Sequence, residues 1–307
     1  MYDTPSVMPL ADDRPGIPVR PPALIRVRAA DFAWGARTYV MGILNVTPDS
    51  FSGDGLIARG GDGFVGAAVE QARRMLADGA DMLDVGGQST RPGHHEIPIE
   101  DELARVLPVI HAVRETAPGV PLSIDTTRAT VAAAALDAGA DIVNHVWGVS
   151  VEADMLSVAA QRGVPIVLMH NREQPRYLNV VAEVLADLSA ALDRALEAGV
   201  RWEQTIVDPG VGFGKTAEQN LAVLHNLHLF AALGRPILLG TSRKSTIGKV
   251  LDLPADQRVE GTLATTALAV QAGVDIVRVH DVLPNVRVAR MADAIIRGGW
   301  REEAPQR

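Results

Sequence analysis

The residues Thr205-Ile206-Val207-Asp208-Pro209-Gly210-Val211-Gly212-Phe213-Gly214-Lys215-Thr216 decide the fold of this chain. A short apolar run ends at a carboxylate, a proline and three glycines follow, and residues 216 to about 233 predict a helix. A buried strand that ends in this way is typical of an active-site rim in α/β proteins. Residues 237–245 have the same shape, and we predict that Asp208 and Lys244 face each other across one pocket.

One unit recurs along the chain: a helical stretch, a glycine, and a short apolar strand that ends in a polar residue. A glycine just beyond a helix adopts the left-handed conformation that closes the helix. It recurs as Gly79, Gly139, Gly163, Gly199 and Gly273. The predicted strands are apolar on both faces, which indicates a parallel sheet covered by helices. They span residues 39–44, 82–85, 122–124, 142–143, 166–168, 206–207, 237–239 and 276–279.

Eight such units in roughly 250 residues match a (β/α)8 TIM barrel, and residues 24–36 predict a short hairpin before it. A doubly wound open sheet is the alternative. That fold usually has one glycine-rich switch-point loop rather than polar residues after every strand. We expect a flexible proline-rich tail over residues 1–23, a single barrel domain over 24–300, and a flexible tail over 301–307.

The composition predicts a globular enzyme that binds small molecules. Hydrophobic residues make up 47% and charged residues 21% of the chain, as in ordinary soluble domains. The net charge of −8 disfavours generic binding to nucleic acid. The chain has no cysteine, which excludes disulfides, thiolate metal sites and a cysteine nucleophile. It has no secretory signal at residues 1–23 and no apolar run long enough for a membrane span, so we expect a cytoplasmic location and no membrane partner.

Polar residues follow the apolar runs, and a barrel would bring them together at its catalytic face. Any single one could instead cap the next helix. Capping does not explain lysine, histidine and arginine at equivalent positions. The strand ends are Asn45, Asp84, Asp125, Asn144, His170, Asp208, residues 241–244, Arg278 and His280.

Asp125, Asn144 and Asp208 present carboxylate and amide groups at three strand ends. Their oxygens accept hydrogen bonds, and the amide also donates, which suits a planar heterocycle with an aminopyrimidinone edge. Two carboxylates and an amide also suit a divalent metal. From these residues alone both interpretations stay open, as does a structural role at the rim.

Basic residues concentrate after the last two strands, where many TIM barrels bind phosphate. Lys244, Arg278 and His280 lie there, and we predict a phosphate or pyrophosphate site. After the second strand, the paired glycines, the hydroxyls and Arg91 of residues 86–93 also suit an anionic ligand.

Residues 210–216 are superficially similar to a P-loop. The P-loop pattern requires glycine where Pro209 stands, so an NTPase is rejected. Lys215 is therefore expected at a helix start, pointing into solvent. Phe213 is expected to line a pocket for an aromatic substrate or to anchor its loop.

The motifs together resemble those of the dihydropteroate synthase family over about residues 40–297. The matching segments are residues 41–51, 84–93, 123–126, 208–215, 242–245 and 278–281. The resemblance implies that p-aminobenzoate displaces pyrophosphate from 6-hydroxymethyl-7,8-dihydropterin diphosphate, giving 7,8-dihydropteroate in folate synthesis. It further implies Mg²⁺, competition by sulfonamides, and a homodimer.

The resemblance also implies roles for individual residues. Pterin-binding positions are matched by Asp125, Asn144, Asp208 and Lys244, of which Asp125, Asp208 and Lys244 are implied to be catalytic; Asn45 matches the Mg²⁺-linked position; Arg278 and His280 match the pyrophosphate anchors; and Thr90, Arg91, Pro92, Phe213 and Ser245 match the p-aminobenzoate region. The chain departs from the family's usual pattern at Gln88, usually Glu, at His145, usually Asp, and in the loop after Phe51. Two alternatives are a methyltetrahydrofolate–corrinoid methyltransferase and a pterin-binding paralogue without turnover.

Overall fold

The computed structural model describes residues 24–46, 63–88, 97–150 and 153–298. Its strands are β1 (Leu24–Val27), β2 (Ala30–Ala33), β3 (Tyr39–Asn45), β4 (Met82–Gly86), β5 (Leu122–Asp125), β6 (Ile142–His145), β7 (Ile166–Met169), β8 (Thr205–Asp208), β9 (Leu238–Leu239) and β10 (Ile276–Val279). Its α-helices are α1 (Gly63–Ala77), α2 (Ile99–Thr116), α3 (Ala129–Asp137), α4 (Ala153–Arg162), α5 (Val180–Glu197), α6 (Ala217–His225), α7 (Ser245–Leu251), α8 (Val259–Gln271) and α9 (Val282–Ile296). None of the helices in these ranges is long and apolar enough to cross a bilayer.

The eight parallel strands form a closed barrel. They pair in the order β8-β7-β6-β5-β4-β3-β10-β9. The two ends of this order meet through a parallel bridge between Val207 and Ile237, with Val207 N donating to Pro236 O at 3.0 Å. The predicted TIM barrel is confirmed, and the open-sheet alternative is excluded by this closure. The proposed tails at 1–23 and 301–307 lie outside the described residues.

The helix-terminating glycines behave as the repeat predicts: all five have positive φ, between 62° and 116°. The single helix predicted to residue 233 is wrong in its second half. Thr216 and Gln219 form a capping box that starts α6, but the helix ends at His225 and a 3₁₀ stretch, Leu227–Leu233, follows. Asn226 lies at the break and donates its side-chain amide to Ala222 O at 2.8 Å, a local bond that competes with helix continuation.

Two cores lie on opposite faces of the strands because successive side chains alternate. Val40, Leu83 and Val143 face the helices in the larger core. Met41, Met82 and Ile142 belong to the smaller core inside the barrel. Each face of the sheet is therefore covered, which accounts for strands without polar alternation.

The predicted hairpin, β1 and β2, is confirmed and closes the amino-terminal end of the barrel. Phe32 and Trp34 stack at 5.2 Å, and Phe32 meets Tyr39 edge to face at 4.9 Å. These aromatic side chains belong to the same core as the inward residues of the strands. The hairpin and the inward apolar side chains of the strands thus form the floor of the barrel at its amino-terminal end. The functional site is therefore expected at the opposite, carboxyl-terminal end, called the mouth below.

Candidate active site at the carboxyl end of the barrel

Five barrel strands carry an inward polar side chain two residues after an inward side chain near the floor, and together these polar groups form a layer. The pairs are Met82 and Asp84, Ile142 and Asn144, Ile206 and Asp208, and Ile276 and Arg278, with Asp125 following Ser123 on β5. Positions two apart on a strand share a face and are about 7 Å apart. Because side chains two residues apart lie on the same face of a strand, the polar residues that follow the apolar runs form a charged layer directly above the inner apolar core.

Arg278 joins two carboxylates across the barrel mouth. Its Nε donates to Asp84 Oδ2 at 2.5 Å and its Nη2 donates to Asp125 Oδ2 at 2.7 Å. Asn144 Nδ2 donates to the same Asp84 oxygen at 3.0 Å. Asp84 Oδ1 and Asp125 Oδ1 are buried without a hydrogen bond within the described residues. The mouth therefore offers buried acceptor oxygens to a ligand that carries N–H groups.

The electrostatic environment of Asp125 favours its neutral form more than water does. Burial raises the pKa of Asp125 to about 7, against the lowering effect of Arg278, and Asp84 raises it further. Asp125 as a whole is 6% exposed. A ligand N–H group would favour the charged form and complete its hydrogen bonding.

Asp208 and Lys244 are brought together as the two glycine-rich strand ends predict. Lys244 Nζ donates to Val211 O, in the loop after Asp208, and lies 4.3 Å from the centre of the Phe213 ring. Burial lowers the pKa of Lys244 to about 8, and Asp208 is the largest influence raising it. Burial raises the pKa of Asp208, while Lys244 lowers it.

Glycine is required where this loop passes Lys244. Gly212 has a φ of +86°, and a Cβ there would lie 2.6 Å from Lys244 Cδ. Asp208 Oδ1 accepts from Gly210 N at 2.7 Å, so one carboxylate oxygen shapes the turn. This bond is the local structural role that sequence reasoning left open, and it coexists with a position at the mouth.

The loops after β9 and β10 are tied together beside the mouth. Ser242 Oγ is 3.0 Å from His280 Nδ1 and accepts from His280 N at 3.1 Å. Arg243 and Asp281 form a bidentate pair at 2.6 and 3.0 Å. The predicted basic residues therefore converge, but Arg278 points at the two carboxylates inside the barrel, while His280 lies toward the Ser242 loop.

The expectation that Lys215 points into solvent is wrong. Its Nζ turns inward and lies 2.9 Å from His170 Nδ1, 3.0 Å from Gly210 O and 3.1 Å from Phe213 O. Burial lowers the pKa of Lys215 to about 7. The spacing of the sequence motif excludes a P-loop role for Lys215. In the folded chain its ammonium instead contacts His170 and donates to two backbone carbonyls.

Sequence reasoning missed how central Asp84 is, and missed Glu102 altogether. Asp84 is fully buried and accepts from both Arg278 and Asn144. Its inward position after Met82 was the available signal. Glu102 is buried on α2, where it pairs with Arg128 at 2.7 Å and accepts from Thr126 at 2.7 Å. Nothing local in the sequence indicates that contact.

The remaining site predictions differ in where they fall. Thr90, Arg91 and Pro92 lie outside the described residues. Ser245 begins α7 and is exposed. His145 is buried, and alternation places it on the opposite face of β6 from Asn144. The departure from the family at His145 therefore does not alter the inward polar layer.

Candidate metal ligands are sparse in the described residues, which contain no group of three or more His, Cys, Asp or Glu suited to an ion. Asn45 ends β3 and pairs in register with Gly86, which pairs with Asp125. A Cβ on Gly86 would be 3.7 Å from Asn45 Oδ1 and 3.8 Å from Asp125 Oδ2. An amide oxygen beside a carboxylate fits Mg²⁺ when a substrate supplies phosphate oxygens.

A cleft of about 200 Å³ lies elsewhere, among residues of β3, α9 and the segment before β4. Three of its charged groups have partners: Arg37 pairs with Asp81 at 2.5 Å, and Asp293 accepts from Thr38 N at 2.7 Å. It contains none of the inward polar residues, so the barrel mouth is the better candidate site.

The chain matches the family described as pterin binding enzyme over residues 41–280. It is 48% identical over 274 residues to the dihydropteroate synthase of Clostridium beijerinckii, an alignment that covers 89% of this chain and all of that protein. The dihydropteroate synthase of Clostridium difficile, solved in the presence of pteroic acid, has a TM-score of 0.83 and 47% identity, covering 87% of this chain and 99% of the other. That of Yersinia pestis, solved with a sulfonamide drug, has a TM-score of 0.81 and 35% identity, covering 89% and 98%.

Proposed function

The chain belongs to the dihydropteroate synthase family of pterin-binding enzymes, and from this premise we propose how its barrel mouth performs the family's reaction. It is a transferase that condenses p-aminobenzoate with 6-hydroxymethyl-7,8-dihydropterin diphosphate, giving 7,8-dihydropteroate and pyrophosphate in folate biosynthesis. The observation that carries the assignment of roles is the buried layer of Asp84, Asp125, Asn144 and Asp208 beside Arg278 and Lys244.

The pterin is held by the inward acceptors and one cation. Asp125 and Asp208 accept from its ring N–H and amino groups, and Asn144 both accepts and donates. Charge-assisted bonds of this kind are short and strong in a buried site. Lys244 donates to a pterin acceptor next to Asp208, with its stem packed on Gly212.

The diphosphate is bound by Arg278 and His280 at the β10 end. Arg278 pairs with Asp84 and Asp125, which places its guanidinium beside a carboxylate proposed to bind the pterin. Positive charge placed where negative charge develops on a leaving group stabilises the transition state.

In the reaction, the bond between the pterin methylene carbon and the diphosphate oxygen breaks, and its electron pair leaves with pyrophosphate. The amine nitrogen of p-aminobenzoate forms the new bond to that carbon and then loses a proton to the released pyrophosphate or to water. The carbon becomes cationic as the bond breaks, and the carboxylates of Asp125 and Asp208 stabilise that charge through the pterin ring. Asp125, Asp208 and Lys244 are the catalytic residues of this proposal.

p-Aminobenzoate is held by Thr90, Arg91, Pro92, Phe213 and Ser245. Phe213 supports this placement because its ring lies under Lys244, at the edge of the pterin site. A sulfonamide resembles p-aminobenzoate in its aniline group, so sulfonamides compete for the same place, and the enzyme is a sulfonamide target.

Asn45 would hold Mg²⁺ together with phosphate oxygens of the substrate. When bound, the ion neutralises charge on the leaving diphosphate. Titrating MgCl₂ into metal-depleted enzyme tests this: Asn45→Ala is expected to raise the concentration for half-maximal turnover by about tenfold or more, whereas an unchanged Mg²⁺ requirement rules out Asn45 as a ligand.

The enzyme is a homodimer in the cytoplasm. Neighbouring helices α8 and α9 expose Leu268, Met291 and Ile295 at 55–67%, and exposed apolar side chains on adjoining elements favour an interface. The diphosphate substrate is too charged to cross a bilayer unaided, so the enzyme must share the compartment where it is made. Light scattering tests the dimer: Met291→Glu with Ile295→Glu is expected to give monomers.

The decisive measurement of function is pyrophosphate release from the pterin diphosphate, with and without p-aminobenzoate, with dihydropteroate followed by mass spectrometry. We expect release and product to require p-aminobenzoate. Binding of the pterin diphosphate without such release would instead identify a paralogue without turnover. Methyl transfer from methyltetrahydrofolate to a corrinoid protein would identify the other alternative, and no observation favours either.

A further inference from the structure

Lys215 is connected to a chain of polar groups that reaches from half-buried Asp187 on α5, through buried His170, to the mouth. His170 is fully buried and contacts Lys215 through Nδ1 and Asp187 Oδ2 through Nε2, at 2.9 and 3.1 Å. Asp187 also accepts from Arg172 at 2.8 Å. The chain of contacts therefore starts on a helix outside the barrel and ends at the loop after β8.

The donor and acceptor pattern along this chain is consistent. An ammonium has three donors, and Lys215 has three acceptors: His170 Nδ1, Gly210 O and Phe213 O. His170 can accept at Nδ1 only as the neutral tautomer that donates from Nε2 to Asp187. Burial, followed by the charge of Lys215, lowers the pKa of His170 to about 4, in agreement with that tautomer.

The two carbonyls that Lys215 holds belong to the loop that presents substrate-binding groups. Gly210 has a φ of +67°, and a Cβ there would lie 1.7 Å from His170 O, so the loops after β7 and β8 are in close contact. The N–H of Gly210 donates to Asp208, while Phe213 places its ring under Lys244. Lys215 therefore binds the backbone carbonyls of two residues: Gly210, whose N–H is bonded to Asp208, and Phe213 itself.

We propose that Lys215 is a positioning residue for the condensation: anchored by neutral His170, it fixes the carbonyls of Gly210 and Phe213 and so aims the Asp208 carboxylate and the Phe213 ring at the two substrates. This inference rests on the proposed roles of Asp208 and Phe213. The charged groups that act on Lys215 are Asp208, Lys244, Arg172 and Asp187.

The chain has only three lysines, Lys215, Lys244 and Lys249, which provides a matched control. Lys249 is exposed on α7. Lys215→Met keeps the side-chain length and removes the donors, and Lys249→Met makes the same change away from the site. We expect Lys215→Met to lower kcat/KM by about 100-fold, as small misplacements of site groups do, with KM raised for both substrates. Lys249→Met should match the wild type.

The division between KM and kcat separates positioning from loss of folded protein, because a smaller folded fraction lowers apparent kcat and leaves KM unchanged. Unchanged KM values in Lys215→Met would overturn the proposal. Wild-type turnover in the same assay tests the function itself, so a fully active Lys215→Met enzyme refutes only this inference.

A measurement on the wild type decides the matter if the variant does not fold. Lysine labelled with ¹⁵N at Nζ gives three signals, and a Lys215 ammonium bound to three acceptors exchanges its protons slowly with water. We expect the Lys215 signal to remain visible at about pH 6, below the pKa of about 7 to which burial lowers this group, while that of exposed Lys249 broadens. Its absence from Lys215→Met, or from Lys215→Arg if Lys215→Met is insoluble, assigns it. Three equally exchange-broadened signals would overturn the proposal.

Discussion

The floor and the mouth of the barrel are formed by the same strands, but the floor buries apolar side chains and the mouth buries polar ones. At the floor, Met82 and Ile142 pack with Phe32 and Trp34, and stability comes from apolar burial. About 7 Å further along the same strands, Asp84 and its neighbours are buried, and two of their carboxylate oxygens have no hydrogen-bond partner in the part of the chain that the structure describes. Burying polar groups without partners costs free energy. The lower layer therefore supports the fold, and the upper layer serves the ligand.

The largest contrast is expected from Asp125→Asn at the mouth. The carboxylate that stabilises a cationic pterin is lost, so kcat should fall by about 100- to 1000-fold. The dissociation constant of the pterin diphosphate, measured by calorimetry without p-aminobenzoate, should change far less. Equal changes in both quantities would show that Asp125 acts only in binding.

Phe32→Ala at the floor should have the opposite signature. Removing a fully buried aromatic ring costs about 3–5 kcal/mol of unfolding free energy, measured by urea denaturation. The folded fraction should keep wild-type KM values, because the floor does not touch the site. A changed KM for either substrate would mean that the floor and mouth are mechanically coupled.

The pH dependence of stability should separate the two layers. Between pH 4 and about 7 the folded state keeps a proton on Asp125, whose pKa burial raises to about 7, while the unfolded chain loses it. The folded state binds more protons in that window, so this group's contribution to stability falls as pH rises. Asp125→Asn should therefore gain stability relative to the wild type from pH 4 to 7. Phe32→Ala should show a constant difference over the same range, and a constant difference for both variants would contradict the raised pKa.

The smallest effect is expected at the outer edge of the floor. Leu24 begins the hairpin but is 68% exposed, so Leu24→Ala should change the free energy of unfolding by less than about 0.5 kcal/mol. A loss comparable to that of Phe32→Ala would show that Leu24 is covered in the native assembly.

The sequence alone was sufficient for the barrel because its signals are local and repeated. Apolar runs, helix-ending glycines such as Gly139, and polar strand ends each follow from short-range rules, and closure follows from eight such units. The break at Asn226 was missed because one side-chain hydrogen bond there outweighs a helical pattern.

What only the tertiary structure decided are the contacts between residues distant in the chain. Arg278 meets Asp84 across 194 positions, and Lys215 turns toward His170 across 45. The types of residue at the barrel mouth can be predicted from the sequence, because the two-residue period of a strand places them on the inner face. Which cation meets which carboxylate depends on barrel closure and on loops packing against each other. Those distances are not encoded in any short segment, and this is why Lys215 was expected in solvent and lies in the wall of the site.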